Sequence, residues 1–316
     1  MSTRFTARRM VLSGPLAAAV ARALGEVPGL ATRVAAAGDV SAADLAWADS
    51  YAGFTVPGNL GSSAVRWVHA MAAGVDAALR SLGTSPAVGG PVLTRTVGSM
   101  PRAIGTYVLG QVLADHLQLA RYRDQQARHV WAPLANRAPG NRGVVVLGTG
   151  EIGAGIAGVL RGGGFRVVGM NTHGRARAPF DEVVALRDGA AHLAGCDVLV
   201  CALPLTDATR GLLGHDLFAH LDDALVVNVG RGACVVPAGL RAALADGHVR
   251  HAVLDVVETE PLPGDDWRWD HERVTLTPHV SGPTEPADVV AAILQCREAL
   301  ARGERPALAV DLARGY

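Results

Sequence analysis

The most constraining stretch of this 316-residue chain is a junction. Four apolar residues, Val144-Val145-Val146-Leu147, run straight into Gly148-Thr149-Gly150-Glu151-Ile152-Gly153. A short β-branched run followed by GxGxxG is the pattern of a buried strand turning through glycine into a helix. Such a turn brings backbone N–H groups and the positive helix end against a pyrophosphate. The spacing alone is weak evidence. With 38 glycines in the chain, chance supplies roughly half a match, and a second match, Gly153-Ala154-Gly155-Ile156-Ala157-Gly158, overlaps the first. Only the first follows directly on a strand. The second falls inside the ensuing helix, where small residues are expected to allow close packing on the sheet. The first is read as a dinucleotide-binding turn, with Gly148, Gly150, Glu151, Ile152 and Gly153 at the cofactor. A tight βα turn without a ligand is the plainer alternative.

The rest of the chain keeps the strand–helix rhythm. Strands are expected at 144–147, 166–170, 198–202, 225–229, 252–255 and 275–277, with a last helix from Pro286 to about Ala301. Before them, strands are expected at 9–13 and 32–36 and near 51–56, 65–69 and 92–94. Helices are expected at 16–24, after a Ser41 cap with Asp44 three residues on, and from about Ser62. Ile104, Val108, Val112, Leu113, Leu117 and Leu119 give one long helix from Pro101 to about Gln126. This alternation predicts an α/β fold with doubly wound parallel sheets, and the length suggests two domains. The composition agrees: 49% of residues are hydrophobic but only 4% aromatic, which suits small side chains between tightly packed layers.

The chain carries 29 Lys plus Arg against 29 Asp plus Glu, so no basic excess points to nucleic acid. The four cysteines form no CxxC pair. They read as buried free thiols of a reducing compartment, and no metal site is expected. Arg8-Arg9 precedes an apolar stretch, but Gly14-Pro15 interrupts it, so a strand and helix are read there rather than a secretory signal. No run reaches the ~18 apolar residues of a membrane span. The expectation is a soluble, cytoplasmic protein with no membrane partner.

The loop after the second strand of the glycine-turn series reads Asn171-Thr172-His173-Gly174-Arg175-Ala176-Arg177. NAD enzymes commonly place a carboxylate here for the ribose hydroxyls, and none is present. Asn171, Thr172, His173 and Arg175, with Arg177 behind them, suit a 2′-phosphate instead, so NADP(H) is expected over NAD(H). A solvated basic loop is the alternative.

Three more stretches fall near expected strand ends: Val227-Asn228-Val229-Gly230-Arg231-Gly232, then 254–263 with Asp255 and Glu260, then Leu276-Thr277-Pro278-His279-Val280-Ser281-Gly282. Singly, Arg231 could cap a helix, Glu260 could be a surface charge and His279 a core histidine. Together with the fingerprint, Ala72-Ala73-Gly74-Val75-Asp76, Tyr107-Val108-Leu109 and Leu203-Pro204-Leu205-Thr206 with Thr209 and Arg210, the chain resembles the D-2-hydroxyacid dehydrogenase family, in particular its glyoxylate/hydroxypyruvate reductase-type members. The matching blocks run in order over roughly residues 65–283.

The resemblance implies two Rossmann-like doubly wound domains. The cofactor domain, 100–283, is inserted in a discontinuous substrate domain, 1–99 and 284–316. It implies hydride transfer between NAD(P)H and a 2-keto or D-2-hydroxy acid. Arg231 is expected to clamp the carboxylate and polarise the carbonyl, His279 to serve as acid/base, and Glu260 to orient the imidazole and favour its charged form. Backbone N–H groups at Gly74 and Val75 are implied to hold the substrate carboxylate, and Asp255 the nicotinamide amide. Leu203, Pro204, Thr209, Val229 and Ser281 complete the cofactor contacts. The loops 49–60 and 98–101 are expected to shape the substrate pocket, with Tyr51 in it. The resemblance also implies a homodimer, with Trp131 either reaching the partner's site or anchoring local packing. Thr106 departs from the Glu many members carry. Alternatives are a formate- or phosphite-type dehydrogenase and a nucleotide-sensing, corepressor-like binding protein.

Overall fold

Every pairing between named strands is parallel. The computed structural model describes residues 4–35, 39–60, 63–82, 90–137, 143–312 and 314–316. Its contacts divide the chain into two compact units, Met1–Met100 with Thr284–Tyr316, and Pro101–Pro283.

The first unit is built from β1 (Arg9–Ser13), α1 (Ala17–Leu24), β2 (Ala31–Ala35), α2 (Ala42–Trp47), β3 (Ser50–Gly53), β4 (Trp67–Ala70), α3 (Asp76–Leu82) and β5 (Val92–Arg95), with the C-terminal helix α10 (Pro286–Arg302). The strand order β2-β1-β3-β4-β5 is a doubly wound order with its reversal at β1. Ala17, Val20 and Leu24 of α1 bury one helical stripe with Val289, Ile293, Cys296 and Leu300 of α10. Ser41 caps α2 through Asp44 in a reciprocal box, as its sequence signature predicts. A polar group of side chains is sealed in this core. His69 bonds Thr94 through Nδ1 (2.7 Å) and Thr96 through Nε2 (2.9 Å), and Trp67 Nε1 donates to Thr94 Oγ1 at 2.8 Å. Burial pushes His69 down to about 3, so the ring stays neutral and both nitrogens are satisfied.

One expectation fails in this unit. Residues 61–62 lie outside the described residues, and 63–66 form no helix but lead into β4. Ser63 Oγ donates to the Leu60 carbonyl at 2.6 Å and accepts from the Val65 N–H at 3.3 Å. The hydroxyl thus stabilises a turn in place of the helix. The helix comes later, as α3.

The second unit contains α4 (Met100–His116), α5 (Leu119–Ala127), β6 (Gly143–Leu147), α6 (Glu151–Gly162), β7 (Val167–Asn171), β8 (Glu182–Ala185), α7 (Ala190–Ala194), β9 (Cys196–Cys201), α8 (His215–Phe218), β10 (Ala224–Asn228), α9 (Pro237–Asp246), β11 (Val249–Leu254) and β12 (Val274–Leu276). Its seven strands are ordered β12-β11-β10-β9-β6-β7-β8. The order reverses between β6 and β9, so the fingerprint turn at the end of β6 stands at the topological switch point, where open α/β sheets bind ligands. Both sheets are therefore Rossmann-like, as expected.

The single long helix is in fact two. Gln118 takes a left-handed conformation at φ 52° and separates α4 from α5. Apolar spacing continues across the break, which hides it from periodicity. Ile104, Val108 and Val112 are buried, but Leu113, Leu117 and Leu119 are 37%, 41% and 42% exposed. Strand β8, at one edge of the sheet, was not expected. Among the described residues no helix is long and apolar enough to cross a membrane. All four cysteines are buried, and none is in a disulfide.

The overlapping GxGxxG also needs correction. A Cβ on Gly155 would lie 2.4 Å from Pro101 Cβ, and one on Gly105 would lie 2.8 Å from Val159 Cγ2. Gly155 of α6 admits α4 to close range, while a Cβ on Gly153 would instead stand 3.5 Å from Val146 Cγ1 of the sheet.

Candidate active site

The fingerprint turn is shaped by its glycines. Gly148 has φ +97°, and a Cβ there would stand 2.8 Å from the Ala202 carbonyl oxygen; one on Gly153 would stand 1.9 Å from the Gly148 oxygen. Only glycine serves at either position. Gly150 is the extended N-cap of α6 and supplies no side-chain cap. A Cβ built on it meets nothing within 4 Å. The helix start therefore keeps its backbone donors uncapped beside open space. Ile156, Ala157 and Leu160 bury the opposite face of α6, which fixes the direction of that helix. Ile152 is half-buried in its first turn.

Asn171 organises the loop after β7. Its Oδ1 accepts the N–H groups of His173 (3.0 Å) and Arg175 (3.3 Å), and its Nδ2 donates to Thr149 Oγ1 (2.9 Å) and the Arg175 carbonyl (3.1 Å). The amide ties the loop to the fingerprint rather than standing free as a ligand group. Thr172, His173 and Arg175 are exposed. Arg177 is instead paired with Glu151, so each is engaged by the other.

At the end of β9, Thr209 is also committed. Its hydroxyl donates to the Pro204 carbonyl at 2.6 Å and accepts from the Thr206 N–H at 2.8 Å, closing the 204–209 turn. Leu203 is half-buried and packs against Gly230, where a Cβ would come 2.7 Å from the Leu203 oxygen. Val229 is buried, with its N–H on the Cys201 carbonyl at 3.0 Å.

Arg231 follows β10. The fully buried Asn228 staples the turn from both sides, accepting the Gly230 N–H at 3.1 Å and donating to the Arg231 carbonyl at 3.1 Å. A Cβ on the next residue, Gly232, would lie 1.9 Å from the Val257 carbonyl carbon and 2.3 Å from the Glu258 nitrogen. The Arg231 turn therefore rests directly on the segment that carries Glu260.

His279 and Glu260 meet. Nδ1 of His279 lies 2.9 Å from Glu260 Oε2, and Glu260 Oε1 accepts the Val257 N–H at 3.2 Å. The imidazole is 53% exposed. His279 has φ 54°, a conformation an L-residue with a bulky side chain rarely holds. Its backbone is secured there by N–H bonds to Asp255 O (2.9 Å) and Thr277 O (3.0 Å). The buried Asp255 carboxylate adds more. Its Oδ1 accepts Thr277 Oγ1 (2.6 Å) and the Val280 N–H (2.9 Å), and its Oδ2 accepts the Ser281 N–H (3.0 Å). Three of its about four acceptor positions go to its own loop, so Asp255 is first a clamp on the His279 loop. Tyr107 of α4 hydrogen-bonds Thr277 Oγ1 at 2.7 Å.

In the other unit, Gly74 and Val75 form the turn between β4 and α3, and Arg95 Nη1 donates to the neighbouring Ala73 carbonyl at 3.1 Å. Tyr51 departs from expectation. It is fully buried, and its hydroxyl donates to Thr55 O (2.7 Å) while meeting Ser13 Oγ (2.9 Å). It is a core residue of β3, not a pocket side chain; Phe54 is the half-buried aromatic of that loop. The 98–101 loop is pinned by Asp288 of α10, which accepts the Ser99 N–H at 2.8 Å. Trp131 is completely exposed, which excludes the local packing anchor.

Sequence reasoning missed Asn228, Thr277 and Arg268. The first two lie inside the quoted motifs, but their roles depend on which backbone groups come near. Arg268 lies outside every motif.

Residues 109–281 match the family model described as D-isomer specific 2-hydroxyacid dehydrogenase, NAD binding domain. The glyoxylate/hydroxypyruvate reductase A of Serratia proteamaculans is 35% identical over 80% of this chain and 82% of its own. A D-isomer specific 2-hydroxyacid dehydrogenase from Xanthobacter autotrophicus Py2, solved with NADPH and MES, is 30% identical, with TM-score 0.86 over 98% of this chain and 100% of its own. The NADPH-dependent glyoxylate/hydroxypyruvate reductase of Sinorhizobium meliloti, solved with NADP and sulfate, is 27% identical, with TM-score 0.83 over 98% and 99%. The chain belongs to the D-isomer specific 2-hydroxyacid dehydrogenase family and is an NAD(P)-dependent oxidoreductase of that class.

Proposed function

We propose that the protein reduces a small 2-keto acid, of the glyoxylate or hydroxypyruvate kind, to its 2-hydroxy acid with NADPH. The observation that carries this reading is the 2.9 Å Glu260–His279 hydrogen bond, made after the strands of the same sheet that ends in the fingerprint turn. The unit Pro101–Pro283 is the cofactor domain, and Met1–Met100 with Thr284–Tyr316 is the substrate domain.

The residues fit the cofactor. The uncapped start of α6 and the open space at Gly150 suit a pyrophosphate, and Leu203, Pro204, Val229 and Ser281 supply the walls. When bound, the reduced nicotinamide supplies the hydride for the keto carbon. Arg231 pairs with the substrate carboxylate and polarises the keto oxygen. Because Nδ1 of His279 faces Glu260, Nε2 is the nitrogen left to give a proton to the keto oxygen as it gains charge. Glu260 holds the ring in that orientation. In the direction of oxidation the same nitrogen takes the proton back.

The preference for NADPH rests on a loop without a carboxylate, in which Thr172, His173 and Arg175 are exposed donors. The NADPH and NADP named with the Xanthobacter and Sinorhizobium relatives support it. Leu113, Leu117, Leu119, Tyr122, Val130 and Trp131 expose apolar surface within one stretch of chain, and this supports a homodimer built through that face. Four buried cysteines outside any disulfide support a reducing, cytoplasmic setting.

The test is steady-state reduction of a panel of 2-keto acids with NADPH, comparing the unaltered enzyme with H279A. Turnover of glyoxylate or hydroxypyruvate, lowered on the order of a hundredfold in the variant, is the expected result. Equal rates in both would remove His279 from the chemistry.

A further inference from the structure

We propose that Arg268, forked between Glu258 and Asp266, is a positioning residue that holds the 257–260 segment in register with both Arg231 and His279. The inference rests on the catalytic reading of Arg231, Glu260 and His279 given above.

The side chain of Arg268 is only 3% exposed. Its Nη1 and Nη2 donate to Glu258 Oε2 and Oε1, both at 2.8 Å, a parallel two-point pair. Its Nε and Nη2 donate to Asp266 Oδ1 and Oδ2, again both at 2.8 Å, and Asp266 Oδ1 also accepts the Arg268 N–H at 2.9 Å. A buried guanidinium is costly unless fully paired, and losing one partner strands the other charge. The arrangement is therefore rigid in a way that a solvated surface pair is not. The loop that supplies it is itself anchored: Trp267 packs against the core of the sheet, and Trp269 Nε1 donates to the Pro263 carbonyl at 2.8 Å.

The grip falls on a segment with two working contacts. On one side, Val257 and Glu258 lie against Gly232, so closely that a Cβ there would stand 2.2 Å from the Val257 oxygen. Gly232 is the residue after Arg231. On the other side, two residues past Glu258, Glu260 bonds His279 Nδ1 and the Val257 N–H. Displacing the segment would move the Arg231 turn and the His279 partner together. The cluster does not titrate near neutrality. The Arg268 hydrogen bonds hold Asp266 at about 2 and Glu258 below the usual carboxylate range. A change in the activity–pH profile of a variant therefore reports on the Glu260–His279 pair rather than on the cluster.

The experiment is a double-mutant cycle between E258Q and E260Q in the full-length enzyme, read as kcat, KM and the alkaline limb of keto-acid reduction. Glu258→Gln keeps the volume and turns one acceptor oxygen into a donor group facing the guanidinium. In the unaltered background it should lower kcat roughly three- to tenfold, with KM for NADPH within about twofold. It should also alter the activity–pH profile in the same sense as E260Q does. In the E260Q background its further effect on kcat should be clearly smaller, leaving only the part that acts through the Arg231 turn, because the His279 partner it positions is already lost. R268K, which cannot fork, should give the same pattern and replaces E258Q if that variant does not fold. If E260Q alone lowers kcat and moves the limb, but E258Q costs the same factor in both backgrounds and leaves the limb in place, the cluster only braces the fold and the proposal falls. If E260Q itself changes neither kcat nor the limb, the catalytic reading falls and takes the proposal with it.

Discussion

His279 Nδ1 faces Glu260 Oε2 at 2.9 Å, and the other oxygen of that carboxylate accepts the Val257 N–H at 3.2 Å. The carboxylate is thus held from behind while it orients the ring. Replacing Glu260 by Gln keeps the volume but removes the carboxylate that holds the ring. The turnover number kcat for keto-acid reduction should fall by about tenfold or more, with KM for the keto acid changed less. An unchanged kcat argues against the pair.

Arg175 is exposed in the loop that Asn171 organises, whereas Arg177 is engaged with Glu151. Arg175→Ala should therefore lower kcat/KM for NADPH by on the order of tenfold or more, a lost charge-assisted phosphate contact, and leave NADH nearly unchanged. The comparison needs both cofactors at one saturating keto acid. Equal losses for the two, or an unaltered enzyme that uses NADH as well as NADPH, would overturn the phosphate-site reading.

The His279 loop is clamped by Asp255 and Thr277, with Tyr107 bonded to the same threonine hydroxyl. Thr277→Val keeps the shape and removes that hydroxyl. It leaves Tyr107 and one Asp255 oxygen each with one partner fewer, in the loop that holds His279 at φ 54°. We expect kcat to fall roughly fivefold to fiftyfold, with the fold retained, as for a misplaced acid/base group. Circular dichroism and steady-state kinetics together check it; an unaffected kcat would show that the clamp is dispensable.

Stability should decline with acid for a reason located in β4. Burial holds His69 at about 3 in the folded chain, against an ordinary 6.5. The unfolded chain takes up the proton first, so the group's contribution is complete above about pH 6.5 and is lost as pH falls. The loss approaches about 1.4 kcal/mol per pH unit well below that point. His251, also lowered by burial, adds to the slope. Urea unfolding between pH 7 and 5 should show a shallower acid decline in His69→Gln than in the unaltered protein. Parallel slopes would place the proton uptake elsewhere.

The sequence disclosed what is local. The fingerprint, the Ser41 box and the strand-end motifs are short segments whose backbone requirement is written in their own residues. What escaped it was decided by distant neighbours. Apolar spacing runs unbroken through Gln118, so nothing in the pattern marks the turn between α4 and α5. Tyr51 sits in a stretch that suits a pocket equally well, and only the Thr55 carbonyl and Ser13 hydroxyl make it a core residue. Arg268 is one of many arginines until the fold brings Glu258 and Asp266 to either side of it.

The contact between Gly155 and Pro101 bears on how such chains are recognised. The two GxGxxG matches overlap, yet one leaves a helix start beside open space and the other lets two helices touch backbone to backbone. Both needs are met by the same omission, a missing side chain. The pattern therefore detects closeness of approach, and whether the visitor is a ligand or another helix is settled by the strand that does or does not come before it.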